Sequence, residues 1–332
     1  MDDGPFAQNQ SCNNPLKTGN PKLDTRNPEI ETRNDIAAVP CVPEYNTRLG
    51  TLSRMTAAGM AWICLWDRVG GRFMAFCELR YFSQALQKAN AANVILPETD
   101  TSGPFPVFYL LHGLSDDHTM WQRRTSIERY VRDLPLIVVM PDGGRGFYCD
   151  AEAGMAWETA IIQDLVSLVD KMFPTIKKRS GRCVGGLSMG GYGAVKFALK
   201  YPEMFCSANS HSGALYFGHT ALSADPADRF AVEFTRVIGP KPTGGPNDLF
   251  ALAESVDAQL RPALLIDCGA EDFLLDANRA CHAHLEKIGY PHEYREFPGS
   301  HDWAYWDVHI QEALQFHLRS LTVPRARSKG SR

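Results

Sequence analysis

Residues 183–194 of the 332-residue chain read CVGGLSMGGYGA, and this stretch decides the fold that we predict. A short apolar run is followed by a Gly-x-Ser-x-Gly pentapeptide with Ser188 at its centre, and then by a helical segment that stops before Pro202. This order is typical of a sharp strand–turn–helix in which a strained serine stands exposed above a sheet. Side chains at positions 186 and 190 would collide with the neighbouring strand and helix, so we expect glycine to be required at both.

Apolar runs of strand length lie on both sides of this turn, and segments of helical periodicity separate them. The runs are Phe76–Phe82, Ala92–Leu96, Val107–Leu111, Leu136–Met140, Cys183–Gly186, Phe205–Asn209, Ala263–Cys268 and Tyr294–Phe297. The helical segments are Glu158–Phe173, Met189–Lys200, Asp276–Ile288 and Asp302–Leu318. Continuously apolar strands that alternate with helices indicate a parallel sheet covered on both faces. We therefore predict an α/β fold with a mostly parallel central sheet, helices on both faces and a leading antiparallel pair.

An activated serine needs a base, and the base needs an orienting acid. In a fold with this turn the chain order is serine, acid, histidine. Asp272 stands just after the strand that ends at Cys268, which is where the acid is expected, and Glu271 and Asp276 are alternatives at the same place. The base should lie in the loop after the next strand, where the sequence has His301.

When a serine attacks a carbonyl carbon, the negative charge that develops on the carbonyl oxygen needs N–H donors. The Met189 N–H is one candidate, because it lies at the start of the helix that follows the serine. The Leu114 N–H is the second, because it follows the third apolar run, where this fold has its other donor. For His112, in the same loop, we expect a bracing role rather than a part in the reaction.

Large aromatic residues near these segments are the candidates for a substrate pocket, namely Trp121, Tyr148 and Trp303. The stretch from Leu215 to Val256 separates two predicted strands and carries glycine and proline clusters, so we expect a small cap insertion there. Because this stretch is polar and modest in size, the sequence predicts an open site that accepts short acyl groups.

The composition excludes several classes of protein. A hydrophobic content of 44% and a charged content of 22% are ordinary for a soluble globular protein. A net charge of −4 gives no reason to expect a nucleic-acid partner. No apolar run reaches the roughly 18 residues that a membrane-spanning helix needs. The chain has no phosphate-binding glycine loop and no zinc motif, so we predict no cofactor and no metal.

The chain should consist of one catalytic domain with two appendages. Residues 1–70 are polar and lack apolar periodicity, so we predict a largely disordered extension there. The catalytic domain should span 74–321, and 322–332 should form a basic tail. Nine cysteines without a Cys-x-x-Cys pair, and an acidic start at Asp2 and Asp3, favour a cytoplasmic location over secretion.

Five ordered stretches resemble the putative-esterase family of α/β-hydrolases, which includes esterase D, tributyrin-type esterases, feruloyl esterases and the antigen-85 mycolyltransferases. The stretches are FYLLHGLSDD (108–117), MPDGGRGFY (140–148), GGLSMGGYGA (185–194), CGAEDFL (268–274) and SHDWAYWD (300–307). The resemblance implies the α/β-hydrolase fold and a triad of Ser188, Asp272 and His301. It also implies an oxyanion hole formed by the Leu114 and Met189 N–H groups.

The predicted activity is that of a serine carboxylesterase, which hydrolyses short-chain acyl esters of small molecules through an acyl-enzyme. A thioester hydrolase of the S-formylglutathione type is an alternative, although those members of the family usually have histidine where this chain has Leu187, which disfavours it. Further alternatives are a feruloyl or acetyl carbohydrate esterase, an acyltransferase, and a catalytically silent binding protein. Association of the chain with itself is left open.

Overall fold

The computed structural model describes residues 75–99 and 101–324, which form an eight-stranded sheet with helices on both faces. The strands are β1 (Ala75–Ser83), β2 (Lys88–Leu96), β3 (Val107–Leu111), β4 (Ile137–Pro141), β5 (Arg182–Leu187), β6 (Ser207–His211), β7 (Ala263–Gly269) and β8 (His292–Phe297). Their order is β1-β2-β4-β3-β5-β6-β7-β8; β2 is antiparallel to β1 and to β4, and the other neighbours are parallel. The predicted α/β architecture is confirmed.

The helices of the described residues follow the predicted pattern with additions. They are α1 (Met120–Arg124), α2 (Ile127–Val131), α3 (Trp157–Thr159), α4 (Val166–Met172), α5 (Met189–Lys200), α6 (Arg229–Ile238), α7 (Leu249–Ser255), α8 (Leu275–Lys287) and α9 (Trp303–Ser320). A π-helical stretch, Ala160–Leu165, joins α3 to α4, so the long helix predicted here has one wider turn. The short helices α1 and α2 were not predicted, because so few residues carry too little periodicity.

The sheet is buried on both faces because its central strands are apolar throughout. Every residue of β3 and β4 is buried. One face packs against α4, α5, α7 and α8, with Phe197 and Leu285 in the shared core. The other face packs against α1, α2 and α9, with Trp121 and Ile310. Because β3 to β8 run parallel, their carboxyl ends lie together at one end of the sheet, where β5, β7 and β8 continue into loops.

The predicted cap insertion lies between β6 and β7 and contains α6 and α7. α6 is amphipathic, with Phe234 buried and Phe230 and Val232 exposed. The Phe234 ring packs against Phe147, with 4.9 Å between ring centroids, so α6 lies on the loop that follows β4. The insertion is small, as predicted, but it has an apolar face that its polar composition concealed.

Three further predictions concern the ends of the chain and its surroundings. The extension predicted at 1–70 lies outside the described residues, as does the basic tail beyond residue 324. Among the described helices, none is long and apolar enough to cross a membrane. The cysteines within the described ranges are all free thiols, and most of them are buried.

Candidate active site

β5 and α5 meet at Ser188 in the sharp turn that the sequence predicts. Ser188 has φ 52° and ψ −115°, a left-handed conformation that a non-glycine residue keeps only where the surroundings hold it. A Cβ on Gly186 would lie 2.7 Å from the Leu111 carbonyl oxygen, and a Cβ on Gly190 would lie 2.4 Å from the same atom. Glycine is therefore required at both positions for the close approach of β3, β5 and α5, as predicted.

Ser188, His301 and Asp272 form one hydrogen-bonded chain although they are distant in sequence. The His301 Nε2 atom lies 3.0 Å from Ser188 Oγ, and His301 Nδ1 lies 2.9 and 3.1 Å from the two carboxylate oxygens of Asp272. When the Nδ1–H group donates a hydrogen bond to the Asp272 carboxylate, Nε2 is left to accept the serine proton. Asp272 is buried, whereas Ser188 and His301 are half-buried, so only the last two are open to a substrate.

The Asp272 side chain is held as a carboxylate. Burial alone would raise its pKa, but the hydrogen bond from His301 and the bond from the Leu274 N–H at 2.8 Å outweigh burial and lower the pKa below its ordinary value. A carboxylate that stays ionised here can orient the imidazole and stabilise it when it becomes positively charged.

The two alternative acids, Glu271 and Asp276, make other contacts. The Glu271 carboxylate accepts a hydrogen bond from the Gly299 N–H, and the Glu271 N–H donates to the Gly299 carbonyl at 3.0 Å. Glu271 therefore fastens the loop that carries His301. Asp276 lies in the first turn of α8, where a negative charge stabilises the helix N-terminus.

The Leu114 and Met189 N–H groups, which the sequence predicts as oxyanion donors, belong to segments next to Ser188. Met189 begins α5, and a Cβ on Gly113 would lie 3.7 Å from the Ser188 Cβ. Within the described ranges neither N–H donates to another group of the protein. Both are free to donate hydrogen bonds to the oxygen of a carbonyl group whose carbon lies at the Ser188 hydroxyl.

His112 braces the 112–116 loop, as predicted. Its ring is 1% exposed, and Nε2 accepts a hydrogen bond of 2.9 Å from the Gly143 N–H. The proton is therefore on Nδ1, which donates to the Gly113 carbonyl at 2.8 Å. The Tyr148 hydroxyl donates to the His112 carbonyl at 2.9 Å. These bonds fix the backbone that leads into Leu114.

The aromatic residues proposed for the pocket do not share one environment. Trp121 and Tyr148 are 1% and 0% exposed and pack in the core, so they present no surface to a substrate and we correct that interpretation. Trp303 is partly exposed, beside Trp121. Phe273, which we did not predict, is 77% exposed, and its ring centroid lies 4.6 Å from that of His301. Its position next to the acid was the available signal.

Arg145 connects three segments beside the site, and sequence reasoning did not identify it. Its guanidinium donates to the hydroxyl of Ser115, the residue after Leu114. It also pairs with Glu233 of α6 through two hydrogen bonds of 2.7 and 2.9 Å. The 112–116 loop, the loop after β4 and the insertion are thus tied at one side chain. A glycine-rich turn around Arg145 was the only signal in the sequence.

Comparison with known proteins adds the family. Residues 83–317 match the model of the family described as "Putative esterase". The chain belongs to this esterase family. An acetyl esterase of Caldicellulosiruptor saccharolyticus is 28% identical over 73% of this chain and 98% of its own length. Esterase Rv1288 of Mycobacterium tuberculosis is 32% identical over 67% of this chain; the chain spans only 54% of that relative.

Two solved structures from Staphylococcus aureus resemble this esterase in fold. The fluorophosphonate-binding serine hydrolase F, with substrate bound, is 32% identical with a TM-score of 0.66, covering 74% of this chain and 98% of its own. The S-formylglutathione hydrolase FrmB, as the apoenzyme, is 33% identical with a TM-score of 0.65, covering 74% and 99%. This esterase therefore has the predicted α/β-hydrolase fold, and its class is that of enzymes that hydrolyse carboxylic ester bonds.

Proposed function

We propose that this esterase is a serine carboxylesterase for short-chain acyl esters, with Ser188 as nucleophile, His301 as base and acid, and Asp272 as the orienting carboxylate. The observation that carries the proposal is the hydrogen-bonded chain from Ser188 Oγ through both ring nitrogens of His301 to Asp272. A serine next to a base that is itself oriented by a third group is the arrangement that acyl transfer requires.

The reaction has two steps. Ser188 Oγ attacks the ester carbonyl carbon while His301 Nε2 takes its proton, and the Leu114 and Met189 N–H groups stabilise the oxyanion. His301 then gives the proton to the leaving alcohol, and the acyl group stays on Ser188. In the second step His301 takes a proton from water, which attacks the acyl-enzyme. The carboxylic acid leaves, and the proton returns to the serine.

The preference for short acyl groups is supported by the open surroundings of the serine. Ser188 and His301 are half-buried, and the exposed Phe273 ring lies beside His301. We propose that Phe273 and Trp303 contact the substrate, because aromatic rings at the edge of a site offer apolar area with little entropy loss. One of the relatives is named an acetyl esterase, and acetyl is a short acyl group.

The test compares the wild type with Ser188→Ala on p-nitrophenyl acetate, butyrate and laurate, alongside labelling with a fluorophosphonate probe. We expect acetate and butyrate to be preferred, and Ser188→Ala to lose labelling and about 10⁴–10⁶-fold in kcat. Labelling that persists in Ser188→Ala would refute the nucleophile. Preference for laurate would refute the short-acyl proposal and leave the triad standing.

The similarity to the S-formylglutathione hydrolase favours a second candidate, hydrolysis of a glutathione thioester. The same serine attack serves a thioester, because only the leaving atom differs. The measurement is kcat/KM on S-formylglutathione and on p-nitrophenyl acetate with one enzyme preparation. We expect the oxygen ester to be preferred; a preference of about 100-fold for the thioester, or 2.7 kcal/mol, would put the second candidate first.

A further inference from the structure

β1 is an edge strand in the described part of the chain. β2 pairs with it along all nine residues, and none of the described strands pairs with its other side. Its outward row of N–H and C=O groups is therefore a template for another strand. Proteins commonly protect such edges by shortness, proline, a bulge or charged side chains. This strand is long, regular and without proline, and the two charges that it carries are of opposite sign.

The exposed face of β1 carries two aromatic residues and two opposite charges. Phe76 and Phe82, near the two ends, are 42% and 57% exposed. Glu78 and Arg80 lie between them and pair with each other along the strand at 2.8 Å. An exposed phenylalanine on each side of a charge pair is a surface that a partner strand of matching chemistry would cover.

This face is complementary to itself. The pattern Phe-x-Glu-x-Arg-x-Phe is symmetric about Leu79, with acid opposite base. In an antiparallel pair of β1 strands related by a two-fold axis at Leu79, Phe76 of one copy lies opposite Phe82 of the other, and Glu78 lies opposite Arg80. Aromatic pairs and opposite charges are favourable cross-strand neighbours, and the two-fold axis provides each of them twice.

The alternative registers are unfavourable. A shift that moves the axis to residue 78 would set Glu78 against its own copy, and a shift to residue 80 would do the same for Arg80. Like charges directly opposite each other are destabilising. A slip of one residue would bring the buried face of the partner strand, with Leu79, to the solvent side. The register centred on Leu79 is the one that pairs both phenylalanines and both opposite charges.

We propose that two copies of this chain associate through β1, antiparallel and centred on Leu79, so that their sheets become continuous. The interface consists of one strand from each copy and is small, so the dimer is weak and reversible. The residues involved lie outside the active site, and the proposal does not depend on the proposed function.

The test is sedimentation equilibrium on the full-length chain and three variants, Glu78→Arg, Arg80→Glu and the double variant that exchanges the charges. The wild type should dimerise. Each single variant sets two pairs of like charges opposite each other, so its Kd should rise about 10-fold or more. The double variant restores both opposite-charge pairs in this register alone, so its Kd should return to within about threefold of the wild type.

Glu286→Arg is the matched control for Glu78→Arg, because it makes the same change in net charge on an exposed residue of α8, which packs beside β7. Its Kd should equal that of the wild type. Unfolding temperature and ester hydrolysis, measured in parallel, should be the same for all variants. A wild type that is monomeric at about 200 µM overturns the proposal, and so does a dimer that ignores the single reversals or is not recovered by the exchange.

Discussion

The residue that orients His301 is testable by one substitution at each of two neighbouring positions. Asp272→Asn keeps the size of the side chain but replaces a carboxylate with an amide that favours the wrong imidazole tautomer, so we expect kcat to fall about 10³–10⁴-fold. Glu271→Gln keeps an oxygen that accepts from the Gly299 N–H, so its kcat should stay within about threefold of the wild type. The measurement is steady-state kinetics on p-nitrophenyl acetate; equal losses would mean that the acid is misassigned.

Gly190 is a second position where one atom decides the outcome. A Cβ there would lie 2.4 Å from the Leu111 carbonyl oxygen and 2.6 Å from that of His112, and backbone atoms cannot yield cheaply. We expect Gly190→Ala to lower the free energy of unfolding by about 2–4 kcal/mol in urea denaturation. Gly154→Ala is the control, since its Cβ would meet only a methyl group at 3.1 Å. An unchanged midpoint for Gly190→Ala contradicts the prediction.

Among the elements, α6 is connected to the 112–116 loop through Arg145. A lysine at 145 cannot hold the Ser115 hydroxyl and both Glu233 oxygens together. We expect Arg145→Lys to lower kcat about 3–10-fold at nearly constant KM, because the loop that carries the Leu114 N–H loses an anchor. The unfolding temperature should hardly change, since the arginine is exposed.

Arg279→Lys provides the control for this prediction. Arg279 also makes a two-bond pair, with Glu296, but the pair joins α8 to β8 rather than to the 112–116 loop. Its kcat should match the wild type. If both lysine variants lose the same activity, the effect does not come from the loop.

α5 and the start of the helix α3 are joined by a buried ion pair. Lys196, 0% exposed, donates to Glu158 at 2.8 Å and to the Tyr148 carbonyl at 2.6 Å. Lys196→Met removes one of the two lysine charges that balance the buried Glu158 carboxylate, the other being Lys200 at 2.7 Å, so we expect the free energy of unfolding to fall by about 3 kcal/mol. Adding Glu158→Gln should return part of this loss, because the buried carboxylate, which then has only the partly exposed Lys200 as a cationic partner, is gone. Denaturant unfolding measures both; a double variant that is no more stable than the single one would contradict this account.

For the whole molecule, buried histidine makes the stability depend on pH. Burial, together with the neighbouring His211, lowers the pKa of His317 to about 3. The neutral ring accepts from the Ser207 hydroxyl at 2.8 Å and donates to the Asn209 side-chain oxygen at 2.9 Å. His317 in the unfolded chain binds a proton near pH 6.5, whereas the buried ring stays neutral until about pH 3. The free energy of unfolding is therefore highest above pH 6.5 and decreases as the pH falls toward 3.

His317→Gln removes the group that binds this proton in the unfolded chain. Between pH 6.5 and pH 5 we expect the wild type to lose about 1.5–2 kcal/mol more unfolding free energy than the variant. Urea unfolding at the two pH values measures the difference, and His284→Gln, at a partly exposed histidine, is the control. If the wild type and His317→Gln lose the same unfolding free energy between the two pH values, His317 is not the cause of the lower stability in acid.

Much of the fold was predictable because its signals are local. Apolar runs and helical periodicity located the strands and the long helices to within a few residues, since burial on both faces requires these patterns. The nearness of Ser188, Asp272 and His301 also followed, because parallel strands bring their carboxyl ends to one edge. The helices α1 and α2 could not be predicted, since five residues do not complete enough turns to show a period.

By itself, the sequence determined the sheet, the strained turn at Ser188 and the order of the residues that meet there, because periodicity, glycine and chain order are properties of neighbouring residues. Only the tertiary structure decided that Trp121 and Tyr148 are buried in the core and that Phe273 lies beside His301. It also decided that Arg145 pairs with Glu233. An aromatic ring gains a similar free energy in a core or in a pocket, and a charge pairs with whatever segment the fold brings within reach. These outcomes depend on contacts between distant segments, which no local pattern records.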